Sequence, residues 1–295
     1  MRERVAALLG TRVERVSDLG SSHSWTLHRV ALADGREVFV KAASGRAGGF
    51  PGGFPGGFAG VFAAEAAGLR WLAEAGPGSP VPAVLAVDDD LLVLPWLPSG
   101  PPTPEAAERL GRELAVLHTA APPSAYGAPW EGYIADLPLD NTPDGRDWPR
   151  WYAERRLEPF LRRAARHLGP DGTRLVEQVA DGIDGLAGPP EPRARVHGDL
   201  WSGNVRWGAG GRALVIDPAA HGGHRETDLA MLALFGAPGL DRVLAAYDET
   251  APLAPGWRER VPLHQLYPLL VHVALFGTSY SGATIEAAMA ALAAG

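Results

Sequence analysis

Residues 196–218 of the 295-residue chain read Val-His-Gly-Asp-Leu-Trp-Ser-Gly-Asn-Val-Arg-Trp-Gly-Ala-Gly-Gly-Arg-Ala-Leu-Val-Ile-Asp-Pro. Asp199 and Asn204 stand five apart in a polar loop, and Asp217 follows the apolar run 213–216. Should the short apolar runs at 195–196 and 213–216 pair as strands, Asn204 and Asp217 converge at one end of the ribbon. An amide oxygen and a carboxylate meeting there make an oxygen-only site suited to Mg²⁺ shared with phosphate. Asp199 can then accept a hydrogen bond from a hydroxyl aligned on phosphorus. Phosphoryl transfer asks for a positioned nucleophile, metal on the phosphates, and a cation on the phosphates that stay behind.

Lys41 supplies the cation. Of the 27 basic residues it is the one lysine, the other 26 being Arg. A compact ammonium and a planar guanidinium are not interchangeable where one point charge must sit. Asp34-Gly35 is a two-residue hairpin signal inside residues 28–43, so Lys41 ends the second strand of a hairpin. Residues 12–19 read as an earlier strand, followed by a small polar turn that includes Gly20, Ser21 and Ser22. Residues 62–74 have helical spacing, and Glu65 in the first turns is placed to pair with Lys41, with Glu74 the other acid on that helix. A second hairpin, 83–87 with 91–94, turns around Asp88-Asp89-Asp90, and the proline-rich stretch 95–104 reads as a connector. Beyond it the texture is helical: 104–118 behind a Thr103 cap, then 148–168, 173–186, and most of the chain after Asp228. The expected fold is α+β with two lobes, a small antiparallel-sheet lobe over 1–97 and a mainly helical lobe over 98–295. A tandem Phe-Pro-Gly-Gly repeat within 48–60 reads as a mobile loop of open function.

Composition narrows the functional class. The net charge of −7 argues against nucleic acid or an anionic membrane as the main partner. The absence of cysteine excludes disulfides, thiolate nucleophiles and Cys-ligated zinc. No apolar run approaches the length of a membrane span, and the first residues lack a signal-peptide pattern, so a cytoplasmic protein is expected, a monomer or weak dimer.

The spacing of His197, Asp199, Leu200 and Asn204 resembles the H-R-D-L-x-x-x-N loop of protein kinases, with Asp217-Pro218 where D-F-G would stand. Gly198 replaces the arginine that reads a phosphorylated activation loop, which points to kinases of small molecules. More narrowly, His-Gly-Asp-Leu-Trp-Ser-Gly-Asn at 197–204, His-Arg-Glu-Thr-Asp-Leu-Ala-Met at 224–231 and Leu-Phe-Gly at 234–236 resemble the fructosamine kinase (ketosamine-3-kinase) family. The tryptophan-led stretch 151–159 and His272-Val-Ala-Leu-Phe-Gly277 are similar to further family segments. The resemblance implies ATP- and Mg²⁺-dependent phosphorylation of the 3-hydroxyl of ribulosamine, erythrulosamine or fructosamine adducts. These would be small molecules or glycated proteins, and the product would release the free amine in deglycation repair. It implies Asp199 as catalytic base, Asn204 and Asp217 as Mg²⁺ ligands, and Lys41, Glu65, Gly20, Ser21 and Ser22 around the phosphates. Leu94, Trp96 and Leu97 resemble the nucleotide hinge, Trp201 would pack on the sugar, and His272 would meet its hydroxyls. Trp201 and His272 also fit packed core positions. Asp228 is expected to brace the catalytic loop, with His197 and His118 structural, and the Arg155-Arg156 pair reads as a solvated helix face. An aminoglycoside- or choline-type phosphotransferase on the same fold is the alternative. A metal-dependent hydrolase using His197, Asp199, His221, His224 and Asp228 would leave Lys41 unexplained.

Overall fold

A computed structural model describes residues 1–22, 25–43, 60–135 and 137–295. Helix α1 (Arg2–Leu9) precedes strands β1 (Val13–Ser22), β2 (Trp25–Leu32) and β3 (Glu37–Ala43), then α2 (Val61–Ala73), β4 (Ala86–Val87) and β5 (Leu91–Pro95). The strands form an antiparallel five-stranded sheet in the order β1-β2-β3-β5-β4. Successive side chains of a strand face opposite sides of the sheet. On β3, Val38, Val40 and Ala42 therefore join the core under α1, while Phe39 and Ala43 pack toward the α2 core of Phe62, Leu69, Leu92 and Leu94. Lys41 shares this second face, which directs its ammonium at α2.

The polar turn expected at 20–24 is narrower than the sequence suggests. Strand pairing continues through Gly20↔Leu27 and Ser21↔Thr26 to Ser22↔Trp25, so Gly20 and Ser21 are strand residues. A register shift between Asp18 and Gly20 marks a bulge, where Gly20 adopts φ 100° and its N–H donates to Asp18 Oδ1 at 2.8 Å. The Phe-Pro-Gly-Gly repeat falls at 50–57 and lies outside the described residues.

The helical part contains α3 (Pro104–Thr119), the short hairpin β6 (Gly132–Ile134) and β7 (Leu137–Leu139), and α4 (Trp148–Tyr152). A π-helical turn (Ala153–Leu157) leads into α5 (Glu158–Asp181) and α6 (Ile183–Leu186). Gly169, at φ 71° before Pro170, kinks α5 at the break between the two expected helices. Next come β8 (Ala194–Val196), β9 (Val205–Trp207), β10 (Ala213–Val215), β11 (His221–Gly223), α7 (Arg225–Leu234), α8 (Leu240–Thr250), α9 (Trp257–Phe276) and α10 (Ser281–Ala294). The runs at 195–196 and 213–216 do not pair with each other: β8 takes β11, and β10 takes β9. The predicted convergence survives because β9 begins directly after Asn204, and Ile216 N–H donates to the Asn204 carbonyl at 3.0 Å. Helix α7 starts three residues before Asp228, behind a His224 cap that accepts from Glu226 N–H at 3.2 Å.

Two apolar bodies carry the helices. One gathers Trp148, Trp151, Tyr152, Phe160, Leu266 and Leu270 from α4, α5 and α9. The other packs Leu110, Leu114, Val205, Val215, Leu232 and Tyr247 beneath the β9–β10 ribbon. Helices α3 and α8 meet so closely at Gly111 that an added Cβ would lie 2.2 Å from the Val243 carbonyl oxygen. Overpacking of a core contact costs about 1–3 kcal/mol, and each kcal/mol lowers Tm by roughly 2–4 °C in a chain of this size class. Gly111→Ala should thus melt roughly 3–10 °C below the parent by calorimetry; an unchanged Tm would contradict the close crossing.

Candidate active site

The residues singled out in the sequence meet where α2 packs on the loop after β10. At Gly68 an added Cβ would come within 3.0 Å of Ala220 Cβ, so α2 lies close enough to present Glu65 to this loop. Lys41, 6% exposed, donates to Glu65 Oε2 at 2.8 Å and to Asp217 Oδ1. One ammonium therefore ties the sheet, α2 and the β10 loop. Burial disfavours its charge, but the Asp217 and Glu65 carboxylates outweigh that and push its pKa up. Asp217 adopts φ 57°, a left-handed conformation that Asp tolerates better than most residues.

Asp199 lies half-buried across the cavity from Lys41. Asn204 Nδ2 donates to Asp199 Oδ2 at 3.0 Å and to the Asp199 carbonyl at 2.8 Å. Because the amide nitrogen is committed there, Asn204 Oδ1 is left as an acceptor, and Asp217 lines the same cavity. Burial, followed by the nearby Asp217 charge, pushes Asp199 up to about 8. The loop is held from behind by Asp228, whose carboxylate accepts from His197 N–H at 2.6 Å and Gly198 N–H at 2.9 Å. His118 Nε2 reaches Asp228 Oδ2 at 3.1 Å, and its Nδ1 reaches the Tyr247 hydroxyl at 2.8 Å. Burial opposes the Asp228 charge, yet the His118 hydrogen bond and the backbone donors hold its pKa below the ordinary value. His197 Nε2 bonds the Ile216 carbonyl at 2.9 Å, linking this loop to the strand that delivers Asp217. Gly198, at φ 80°, passes so near Ala219 that a Cβ would sit 2.3 Å from its carbonyl oxygen. No arginine side chain fits there.

A cavity of about 130 Å³ is lined by Lys41, Glu65, Asp199, Trp201, Asn204 and Asp217, among others. Trp201 is 40% exposed, with its ring folded over Gly203, where a Cβ would lie 2.2 Å from it. That geometry gives the Trp-Ser-Gly sequence a physical reason and places the indole at the surface, outside the core. His272 does not line the cavity. Its Nδ1 bonds the Pro268 carbonyl at 2.7 Å and its ring packs on Phe235, Phe276 and Tyr280. Phe235 also meets the edge of Trp201, with centroids 6.1 Å apart. Leu94 is buried in the sheet, Trp96 N–H donates to the Glu37 carbonyl at 3.1 Å, and Leu97 packs against Gly208. None of these three, nor Gly20 and Ser21, lines the cavity.

The sequence reading missed the far wall of the cavity, formed by Trp130, the β6–β7 hairpin and Asn141. It also misjudged Arg156, which is 1% exposed and stacked 4.4 Å from the Trp151 ring centroid. Burial of Trp151 by the neighbouring core carries Arg156 inward with it. The hydrolase alternative finds no matching geometry. Among the described residues, the group spaced for a metal is His224, Glu226 and His264, and both Glu226 oxygens accept from Arg260.

A buried ammonium between two carboxylates, with an aspartate and an amide lining the same cavity, is the arrangement phosphoryl transfer asks for, and it sits in the two-lobed fold of ATP-dependent phosphotransferases. Comparison with known proteins narrows the class. The fructosamine kinase family model matches residues 30–293, and the chain belongs to that family. A Thermobifida fusca crystal structure, assigned provisionally as a fructosamine-3-kinase, superposes with TM-score 0.92 at 55% identity, covering 99% of this chain and 98% of that one. A Thermus thermophilus protein, provisionally a ketoamine kinase, is 38% identical over 75% of this chain and 78% of its own length. A Synechocystis protein with the same provisional assignment is 37% identical over 64% of this chain, a match that spans 63% of that relative.

Because Asp199 binds its proton more tightly when folded than when unfolded, it lowers stability as pH rises from about 4 through about 8. Asp199→Asn removes this charge. In metal-free buffer its Tm advantage over wild type should widen from pH 5 to pH 9; a constant difference would mean that Asp199 is not strained by burial and by Asp217.

Proposed function

We propose that this chain is an ATP-dependent kinase that phosphorylates the 3-hydroxyl of ketosamines, the reaction that starts removal of sugar adducts from amines. The observation that carries the reading is the gathering of Lys41, Glu65 and Asp217 with Asp199 and Asn204 around one cavity. Membership in the fructosamine kinase family supports the acceptor class. We take 1–97 as the nucleotide-binding lobe and 98–295 as the acceptor-binding lobe. No helix among the described residues is long and apolar enough to cross a membrane, and the acidic, cysteine-free composition suits a cytoplasmic enzyme.

The mechanism follows from side chains already in place. Lys41 neutralises the phosphates that remain with the leaving nucleotide, and Glu65 keeps its ammonium from collapsing onto Asp217 alone. Asp199 accepts the proton of the acceptor 3-hydroxyl as its oxygen forms a bond to the γ-phosphorus and the bond to the β-phosphate oxygen breaks, leaving ADP. Burial and the Asp217 charge raise the proton affinity of Asp199 above that of an ordinary carboxylate. Asn204 Oδ1 and Asp217 are hard oxygen donors fit for Mg²⁺, which when bound neutralises charge on the phosphates. Trp201 offers an exposed aromatic face to the apolar side of the sugar. The resemblance to the family is what supports Gly20, Ser21 and Ser22 for the phosphates and Leu94, Trp96 and Leu97 for the adenine, since these residues lie outside the lining of the cavity around Lys41.

The decisive assay offers ribulosamine, erythrulosamine, fructosamine, choline and aminoglycoside acceptors with ATP and Mg²⁺, followed by phosphorus NMR of the products. Phosphorylation of a ketosamine at its 3-hydroxyl is expected; turnover of choline or an aminoglycoside alone would reassign the acceptor. Lys41→Met should lower turnover by about a thousandfold or more, in the range seen when a phosphate-stabilising charge is removed, and wild-type rates would overturn its role. Trp201→Ala should raise KM for the sugar while KM for ATP holds; an unchanged sugar KM would leave the indole without a part in binding.

A further inference from the structure

Asn141 lines the same cavity as Asp199 and Trp201, although it lies 58 residues before Asp199 in the chain. It is 4% exposed, and its Oδ1 accepts from Arg156 Nη2 at 2.9 Å. A guanidinium can only donate, so the amide orientation is fixed: oxygen toward Arg156, NH₂ away from it. The NH₂ group sits beside Gly132, another cavity residue, where an added Cβ would lie 2.6 Å from Nδ2. Among the described residues Nδ2 has no hydrogen-bond partner. An amide donor of fixed orientation that is open at a cavity wall is available to an acceptor bound there.

The support beneath Asn141 is unusually firm. Arg156 Nη1 donates to the Asp140 carbonyl at 2.7 Å, and Arg155 Nη1 reaches Asp140 Oδ2 at 2.6 Å. Both arginines lie in the π-helical turn, a local widening that brings two consecutive side chains to residues 140 and 141. On the other side, Ala128 N–H donates to the Asn141 carbonyl at 2.8 Å, and Gly127 leaves no room for a Cβ against that oxygen, at 2.5 Å.

We propose that Asn141, held from below by the buried Arg156, binds the acceptor by donating its amide N–H to a sugar oxygen adjacent to the reacting hydroxyl. This rests on the ketosamine reading above and deepens it by naming a residue that selects polyhydroxylated acceptors. An ammonium or alkyl group at that position would leave the donor unmet, whereas a hydroxyl or carbonyl oxygen satisfies it.

Asn141→Asp separates this role from a structural one. The carboxylate keeps the Arg156 contact and the side-chain shape but replaces the donor with an acceptor. KM for the ketosamine should rise at least tenfold, with KM for ATP within twofold of wild type and Tm unchanged or higher. Asn141→Ala should raise the same KM, which keeps the test open should the aspartate variant fold poorly. An aspartate variant with wild-type acceptor KM, or variants in which both KM values move together, would overturn the assignment. Wild-type turnover in the same assay distinguishes the two readings. Ketosamine turnover without a defect in the variants overturns Asn141 alone, and no ketosamine turnover by wild type overturns the acceptor class and this inference with it.

Discussion

The ion triad at Lys41 organises the molecule. Its ammonium comes from β3, one carboxylate from α2 and the other from the loop after β10, so the triad forms only when sheet, helix and catalytic segment are packed together. A buried pair of this kind gains little stability over apolar packing, because desolvation offsets much of the attraction. Its value lies in specificity. The half-exposed Asp217 carboxylate remains open on its solvent side, where a divalent cation can reach it. The close packing of α2 at Gly68 and the left-handed backbone at Asp217 are the local conditions for this geometry.

Behind the triad, a second buried carboxylate does a different job. Asp228 sits among donors: two backbone N–H groups of the catalytic loop and the His118 ring, itself oriented by Tyr247. Asp228 and Asp199 are thus set apart by environment. Asp228 is surrounded by donors and stays ionised, whereas Asp199 faces another acid across the cavity and holds its proton more tightly. One serves as a fixed anchor and the other as a group that can exchange a proton near neutral pH.

Much of this was legible in the sequence because it resides in local patterns. Lys41 stood out as a lone lysine in a strand, Glu65 as an early acid on the following helix, and Asp199, Asn204 and Asp217 by spacing. The structure brings all five to one cavity. The strand partners were harder to read. The His221-Gly222-Gly223 strand carries no apolar alternation, and its glycines answer to a tertiary contact instead, since a Cβ on Gly222 would strike the Ala125 carbonyl at 2.3 Å. Arg156 failed for a related reason. An arginine pair on an amphipathic helix resembles a solvated face, and only the distant 140–141 segment and the Trp151 ring turn it inward. Asn141 sits in a loop with no periodicity to mark it, so its relation to the cleft exists only in three dimensions.

The solitary lysine has a chemical consequence beyond phosphate binding. Reducing sugars condense with unprotonated, accessible amines, and lysine side chains are the usual protein targets. Within these 295 residues there is one such side chain, and it is enclosed, charged and clamped by two acids. Arginine, with its far weaker nucleophilicity, carries the rest of the positive surface. If the ketosamine reading proposed above holds, a protein that handles sugar-modified amines exposes no lysine for the same modification to attack.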